Sequence, residues 1–232
     1  MILEKARKLI ERLSRLLKKV LFAKENGFFD KVGLHLNFFS GEPLTEEMKK
    51  DKIFVRRGLM TSDRFFHKCS KLRRFVLPKS TRRNLAIEAN AQMAKFYQYG
   101  FTQKHLDSHG HSHTFISIWN SIKKVVKKFN FESVRIGENV GKKSILDKLY
   151  KFIFNKIYLK KYKKTNYFTI FNNSKFLRNK KDVITEYMVH PEYKRKRFWN
   201  RKGIAFIDCV PKMAGHTLVS YNYLETDNHE DN

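Results

Sequence analysis

EANAQMAKFYQYGFTQKHLDSHGHSH, residues 88 to 113, holds the end of a helix, its stop and a strand in one continuous run. Leu85, Ala89, Gln92, Met93 and Phe96 fall along one side at helical spacing, which predicts a helix over 81–100 with Gly100 as its stop. A strand at about Lys104 to Asp107 follows and runs into a loop crowded with histidine.

The same alternation extends in both directions. Upstream, ENGFFDKVGLHLNFF turns at Asn26-Gly27 and predicts a half-buried strand from Val32 to Asn37, which SGEPL at 40–44 breaks. Downstream, 114–130 reads as a helix and FESVRIGENV at 131–140 as a strand entering a loop. The Lys- and Asn-rich stretch 142–182 predicts a helix near 144–160, and ITEYMVHPEY at 184–193 a strand ending at His190-Pro191. Strands that alternate with helices predict a parallel α/β architecture. His35, His109, Arg135 with Glu138, and His190 all fall at or just beyond predicted strand ends, where parallel folds gather their active sites.

A chain of 232 residues, 41% hydrophobic, can bury one sizeable core. Its net charge of +27 brings nucleic acid and anionic membrane surfaces into view as partners. The basic runs, such as KRKRFWNRK at 194–202, come with no nucleic-acid-binding motif, so a solvated basic face is the preferred reading. Cys69 and Cys209 suit reduced thiols in a cytoplasmic protein better than a disulfide framework. No stretch has the length of a transmembrane helix, and a homo-oligomer stays open. Ile2, Ala6, Leu9, Leu13, Leu16, Leu17 and Val20 give residues 1–30 a basic amphipathic helix. Such a helix could lie on a membrane or serve as a transit peptide, which Glu4 and Glu11 oppose; packing on a core is the preferred reading.

HLDSHGHSH, residues 105 to 113, concentrates four of the nine histidines beside Asp107. Neutral imidazoles with a carboxylate are a common donor set for a divalent ion that keeps positions open for water and substrate. On an extended segment His109, His111 and His113 would project to one side. Taken alone, such a loop fits an adventitious metal binder as well as a catalytic site.

VGLHLNFFSGEPL, HLDSHGHSH and EYMVHPEY, in this order, resemble the signatures of the YdjC-like carbohydrate deacetylases, the family of the chitin-disaccharide deacetylase. RIGEN at 135–139, the helix EANAQMAKF and HTLVSYNYL near the C-terminus are similar to further family segments, so the likeness covers roughly 31–224. The resemblance implies a distorted (β/α) barrel that removes acetyl groups from an N-acetylated sugar or glycolipid with a divalent metal, Mg2+ or Zn2+. It makes His35 and His109 metal ligands and His190 a catalytic group near the leaving amine. Asn37, Asp107, His111, His113, Arg135 and Glu138 would bind substrate, lining or bracing the pocket. A deacetylase-like domain over 31–224 would then be followed by a polar tail, 225–232.

The family opens on a strand ending in an Asp-Asp motif that supplies the third metal ligand and the general base. No Asp-Asp pair occurs in this chain, and its acids before His35 are Glu4, Glu11, Glu25 and Asp30. The expectation is a barrel lacking its first strand and helix: a truncated product, part of a longer protein, or a relative that binds sugar or metal without turnover.

Overall fold

The computed structural model describes residues 18, 20–57, 64–66, 75–170, 173, 177, 181–189, 191–194, 197–200, 204–205, 217 and 219–224. It divides the chain into two compact units, Met1–Ser112 with Ser117–Phe131, and His113–Ile116 with Glu132–Asn232. Both are mixed α/β, and each contains a parallel strand pair.

In the first unit, the helical residues 20–25 end in a turn at Asn26-Gly27, and a short 3-10 turn, Phe29–Lys31, leads to β1, Leu34–Leu36. Most of the predicted N-terminal helix lies outside the described residues. Thr45 then caps the short helix α1, Glu46–Lys49, by accepting a hydrogen bond from the Met48 amide. An antiparallel pair follows, β2 (Val55–Arg57) with β3 (Arg64–Phe66), which the charged sequence does not announce.

The predicted helix over 81–100 is α2, Lys79–Gln98, and it buries Leu85, Ala89, Met93 and Phe96 as expected. It buries Thr81 and Glu88 on the same side. Strand β4, His105–Ser108, is buried throughout and pairs in parallel with β1. Helix α3, Ile116–Lys128, buries Ile118, Trp119, Ile122 and Val126, and Leu36, Phe38, Met93 and Leu106 are buried in the same unit.

Three backbone positions shape the chain around β1 and β4. A Cβ on Gly33 would stand 2.9 Å from the His105 carbonyl oxygen, closer than a side chain tolerates, so glycine is what lets the two strands approach there. Gly110 has φ +59°, and His111 also takes the left-handed conformation at φ 55°. His109–Thr114 therefore coils into tight 3-10 turns with a kink. This corrects the expectation of an extended segment: two successive left-handed residues break the period of two that would have aligned the three imidazoles.

The second unit begins its sheet structure at β5, Ser133–Val134, whose Ser133 bridges Lys163 in parallel. The predicted helix near 144–160 is α4, Ile145–Ile153, continued by a wider π turn, Phe154–Tyr158. Ser144 caps it through a bond from the Asp147 amide. Strand β6, Tyr167–Ile170, which no periodicity of the Lys- and Asn-rich stretch announces, pairs in parallel with β7, Thr185–Met188. Strands β8 (Pro191–Lys194), β9 (Arg197–Asn200) and β10 (Ile204–Ala205) form an antiparallel meander. Val134, Ile136, Phe154, Leu159 and Phe168 are buried in this unit.

Gly33→Ala is expected to destabilise the first unit by about 1–3 kcal/mol, the cost of pushing two paired strands apart. Urea unfolding of the full chain checks this, and an unchanged midpoint would show that the strands can separate at no cost.

Candidate active site

Parallel pairing sets Leu34 opposite Leu106, His35 opposite Asp107 and Leu36 opposite Ser108. Alternation along β1 buries Leu34 and Leu36 and leaves His35 on the other face. Matched residues of neighbouring strands share a face, so the register that packs the leucines also sets the imidazole beside the carboxylate. His35 Nδ1 and Asp107 Oδ1 are 2.7 Å apart. An ionised carboxylate only accepts, so Nδ1 carries the proton and Nε2 presents its lone pair.

The His35 side chain is 53% exposed, whereas that of Asp107 is 11% exposed. The acid is fixed in the sheet and the imidazole reaches outward. His109, exposed and directly after β4, brings its ring centroid to 5.9 Å from that of His35, at 81° between planes. The two rings are within the span that imidazoles sharing one ion at about 2.1 Å require. A histidine oriented by a carboxylate at its second nitrogen is also how metal-binding histidines are commonly held. In kind, two neighbouring imidazoles, one of them oriented by a carboxylate, suit a divalent ion. Among the described residues, no group of three or more His, Cys, Asp or Glu side chains could hold an ion.

The loop after His35 is fixed by side chains of α2. Gln92 donates from Nε2 to the Asn37 carbonyl at 2.8 Å and accepts the Asn37 amide at Oε1 at 2.9 Å, imitating a strand partner. The Glu88 carboxylate accepts the Leu44 and Thr45 amides, the Thr45 hydroxyl and the Gln92 amide at 2.7–3.0 Å while completely buried. The Asn37 side chain closes its own turn, donating to the Ser40 carbonyl at 2.6 Å and accepting the Phe39 and Ser40 amides. The histidine motifs do not point to Glu88 and Gln92. Their signal was present, since two polar residues four apart on the apolar stripe of a helix need partners inside the protein.

His113 belongs to the second unit and is completely buried. Its Nε2–H donates to the Arg135 carbonyl at 2.8 Å, and its ring lies edge-on to Phe154 at 6.4 Å. Arg135, just after β5, donates from Nε to Glu186 Oε1 at 2.6 Å, and its guanidinium stands 4.9 Å from the centre of the Phe168 ring. Tyr221 donates to the same Glu186 oxygen at 2.8 Å. Glu138 accepts Lys143 at 2.9 Å and Thr169 at 3.3 Å. Glu186, Lys143 and Tyr221 thus join the predicted pair Arg135 and Glu138 in polar networks that the sequence motifs did not name. Burial pushes the phenol of Tyr187, next to Glu186, above its ordinary pKa. His190 lies outside the described residues.

The chain is mixed α/β with parallel strand pairs, and it carries a carboxylate-oriented histidine beside a second histidine. The profile of the YdjC-like protein family matches residues 10–220. The chain belongs to the YdjC-like family.

Among curated relatives, it is 36% identical over 107 residues to a carbohydrate deacetylase of Vibrio cholerae, covering 46% of this chain and 38% of the relative. It is 40% identical over 89 residues to one of Vibrio vulnificus, covering 36% of this chain and 29% of the relative. A third, from Clostridium beijerinckii, is 28% identical over 111 residues, covering 48% of this chain and 40% of the relative. The matches thus span well under half the length of these relatives. No solved structure matches the chain.

Glu88→Ala is expected to cost about 1–3 kcal/mol, because it removes the buried carboxylate that accepts the part-buried Leu44 and Thr45 amides, the Thr45 hydroxyl and the Gln92 amide together. Chemical denaturation checks the value. A loss under about 0.5 kcal/mol, the range of ordinary surface changes, would show that water or another group replaces the carboxylate.

Proposed function

We propose that the protein is a metal-dependent carbohydrate deacetylase, a hydrolase of linear amides that removes acetyl groups from an N-acetylated sugar or glycolipid, built on a distorted (β/α) barrel over 31–224. The family membership and the printed names of the relatives support this reading. The observation that carries it is the 2.7 Å contact of His35 with Asp107, with the His109 ring 5.9 Å from that of His35.

In this reading His35 and His109 hold the ion, magnesium or zinc, and Asp107 keeps His35 in the tautomer whose Nε2 can bind it. A bound divalent ion lowers the pKa of its water and polarises the amide carbonyl. The register of β1 and β4 holds His35 and Asp107 in place before substrate arrives, so little ordering remains to be done during reaction. His190 would serve near the departing amine, as an acid or as a stabiliser of the tetrahedral intermediate, the two roles the resemblance offers it. Arg135 and Glu138 keep the substrate-binding role that the same resemblance gives them.

Incubation of the full chain with N,N′-diacetylchitobiose and Mg2+ or Zn2+ is expected to release acetate, and His35→Ala to reduce the rate at least about 100-fold. Absence of acetate from any N-acetyl sugar tried, under either metal, would end the hydrolytic reading; sugar binding retained in that case would make the chain a binding protein.

Asp107→Asn supplies a check that does not depend on turnover. Loss of the carboxylate that orients His35 is expected to weaken metal binding by about 10–100-fold in calorimetric titration. Equal affinity for both forms would remove Asp107 from the site.

A further inference from the structure

Helices of water-soluble proteins turn their apolar stripe inward and their charges outward. Helix α4 does the reverse, burying none of its own residues. Ile145, Leu149 and Phe152 follow one another at four and three residues, so they share one face, and they are 82%, 53% and 60% exposed. Leu146 flanks them at 78%, and Ile157 in the following turn is 65% exposed.

The opposite side fastens the helix to its unit. Tyr150 donates its hydroxyl proton to the Thr114 carbonyl at 2.8 Å, and buried Asn155 bonds the Gly137 amide and carbonyl at 2.7 and 3.1 Å. Phe154 and Leu159 are completely buried. The apolar face is therefore held outward by a fixed platform.

Residues 142–164 contain nine lysines and a single acid, Asp147. That acid is engaged at 3.0 Å with Lys151, while Lys142, Lys148 and Lys156 are exposed around the apolar stripe. An apolar stripe rimmed by cations matches the boundary of an anionic bilayer, where acyl chains take the side chains and headgroups take the charge. A nucleic acid would answer the lysines and leave the leucines in water. A second copy of a chain of net charge +27 would set like charges against each other around the contact.

We propose that α4 and the turn after it form a docking face for an anionic lipid bilayer, lying in the interface plane with Ile145, Leu149 and Phe152 inserted. At nine residues α4 is too short to cross a bilayer, so attachment through this face is peripheral and reversible. The proposal is independent of the hydrolytic reading.

Co-sedimentation of the full chain with vesicles at physiological salt tests it, using phosphatidylcholine alone and phosphatidylcholine with phosphatidylglycerol at about 30%. Binding is expected to the anionic vesicles and to be at least about tenfold weaker to the neutral ones. The double variant Leu149→Ser, Phe152→Ser is expected to reduce binding at least about tenfold, with circular dichroism unchanged because both side chains are exposed. In Phe152→Trp, vesicle addition is expected to shift the added indole emission to the blue.

No binding to anionic vesicles would overturn the proposal. So would binding that the double variant leaves intact, which would be the attraction of a basic protein alone. A dimer that the double variant dissociates would assign the face to a second copy instead.

Discussion

The parallel pairing of β1 with β4 is the constraint on which the first unit depends. One register satisfies two demands: it packs Leu34, Leu36 and Leu106 on one face, and it sets His35 beside Asp107 on the other. Slipping by one residue would turn the leucines outward and separate the imidazole from its carboxylate at once. Hydrophobic burial of this kind is worth about 1.5–3 kcal/mol per large side chain, so the core enforces a geometry that a single exposed hydrogen bond could not hold.

Helix α2 adds a second restraint from the side. Gln92 pairs with the backbone of Asn37, two residues beyond His35, and Glu88 gathers the amides that close the loop at Leu44 and Thr45. A loop leaving a strand end would otherwise move on its own timescale. Here its donors and acceptors are bound by a helix whose other turns pack Leu85, Ala89 and Met93 into the core. Rigidity at the site is thus borrowed from burial elsewhere.

The elements with strong periodicity were legible in the sequence: α2 differs from its expected limits by two residues at each end, β1 lies inside the strand expected at 32–37, and β4 is shifted by one residue from the one expected at about 104–107. The motif residues of the first unit were legible as types, and so were Arg135 and Glu138. What was not legible was partnership. That Asp107 serves His35 follows from strand register, and that Glu88 serves Leu44 and Thr45 follows from a loop folding onto a helix, neither of which a one-dimensional pattern contains. Strand β6 was hidden because its four residues sit in a stretch whose lysines and asparagines dominate any window. The coiling of His109–Thr114 was hidden because left-handed backbone at His111, where glycine is not present to ease it, is imposed by the surroundings.

The kinked turn has two sets of partners. The chain passes from one unit to the other between Ser112 and His113 and returns after Ile116, so the run HGHSH is written across a boundary. His109 answers to the strand pair before it, and His113 to the carbonyl of Arg135 after it. A one-residue insertion or deletion inside HGHSH would change which ring follows β4 and which reaches the Arg135 carbonyl, so the even spacing of the three histidines serves two separate partners.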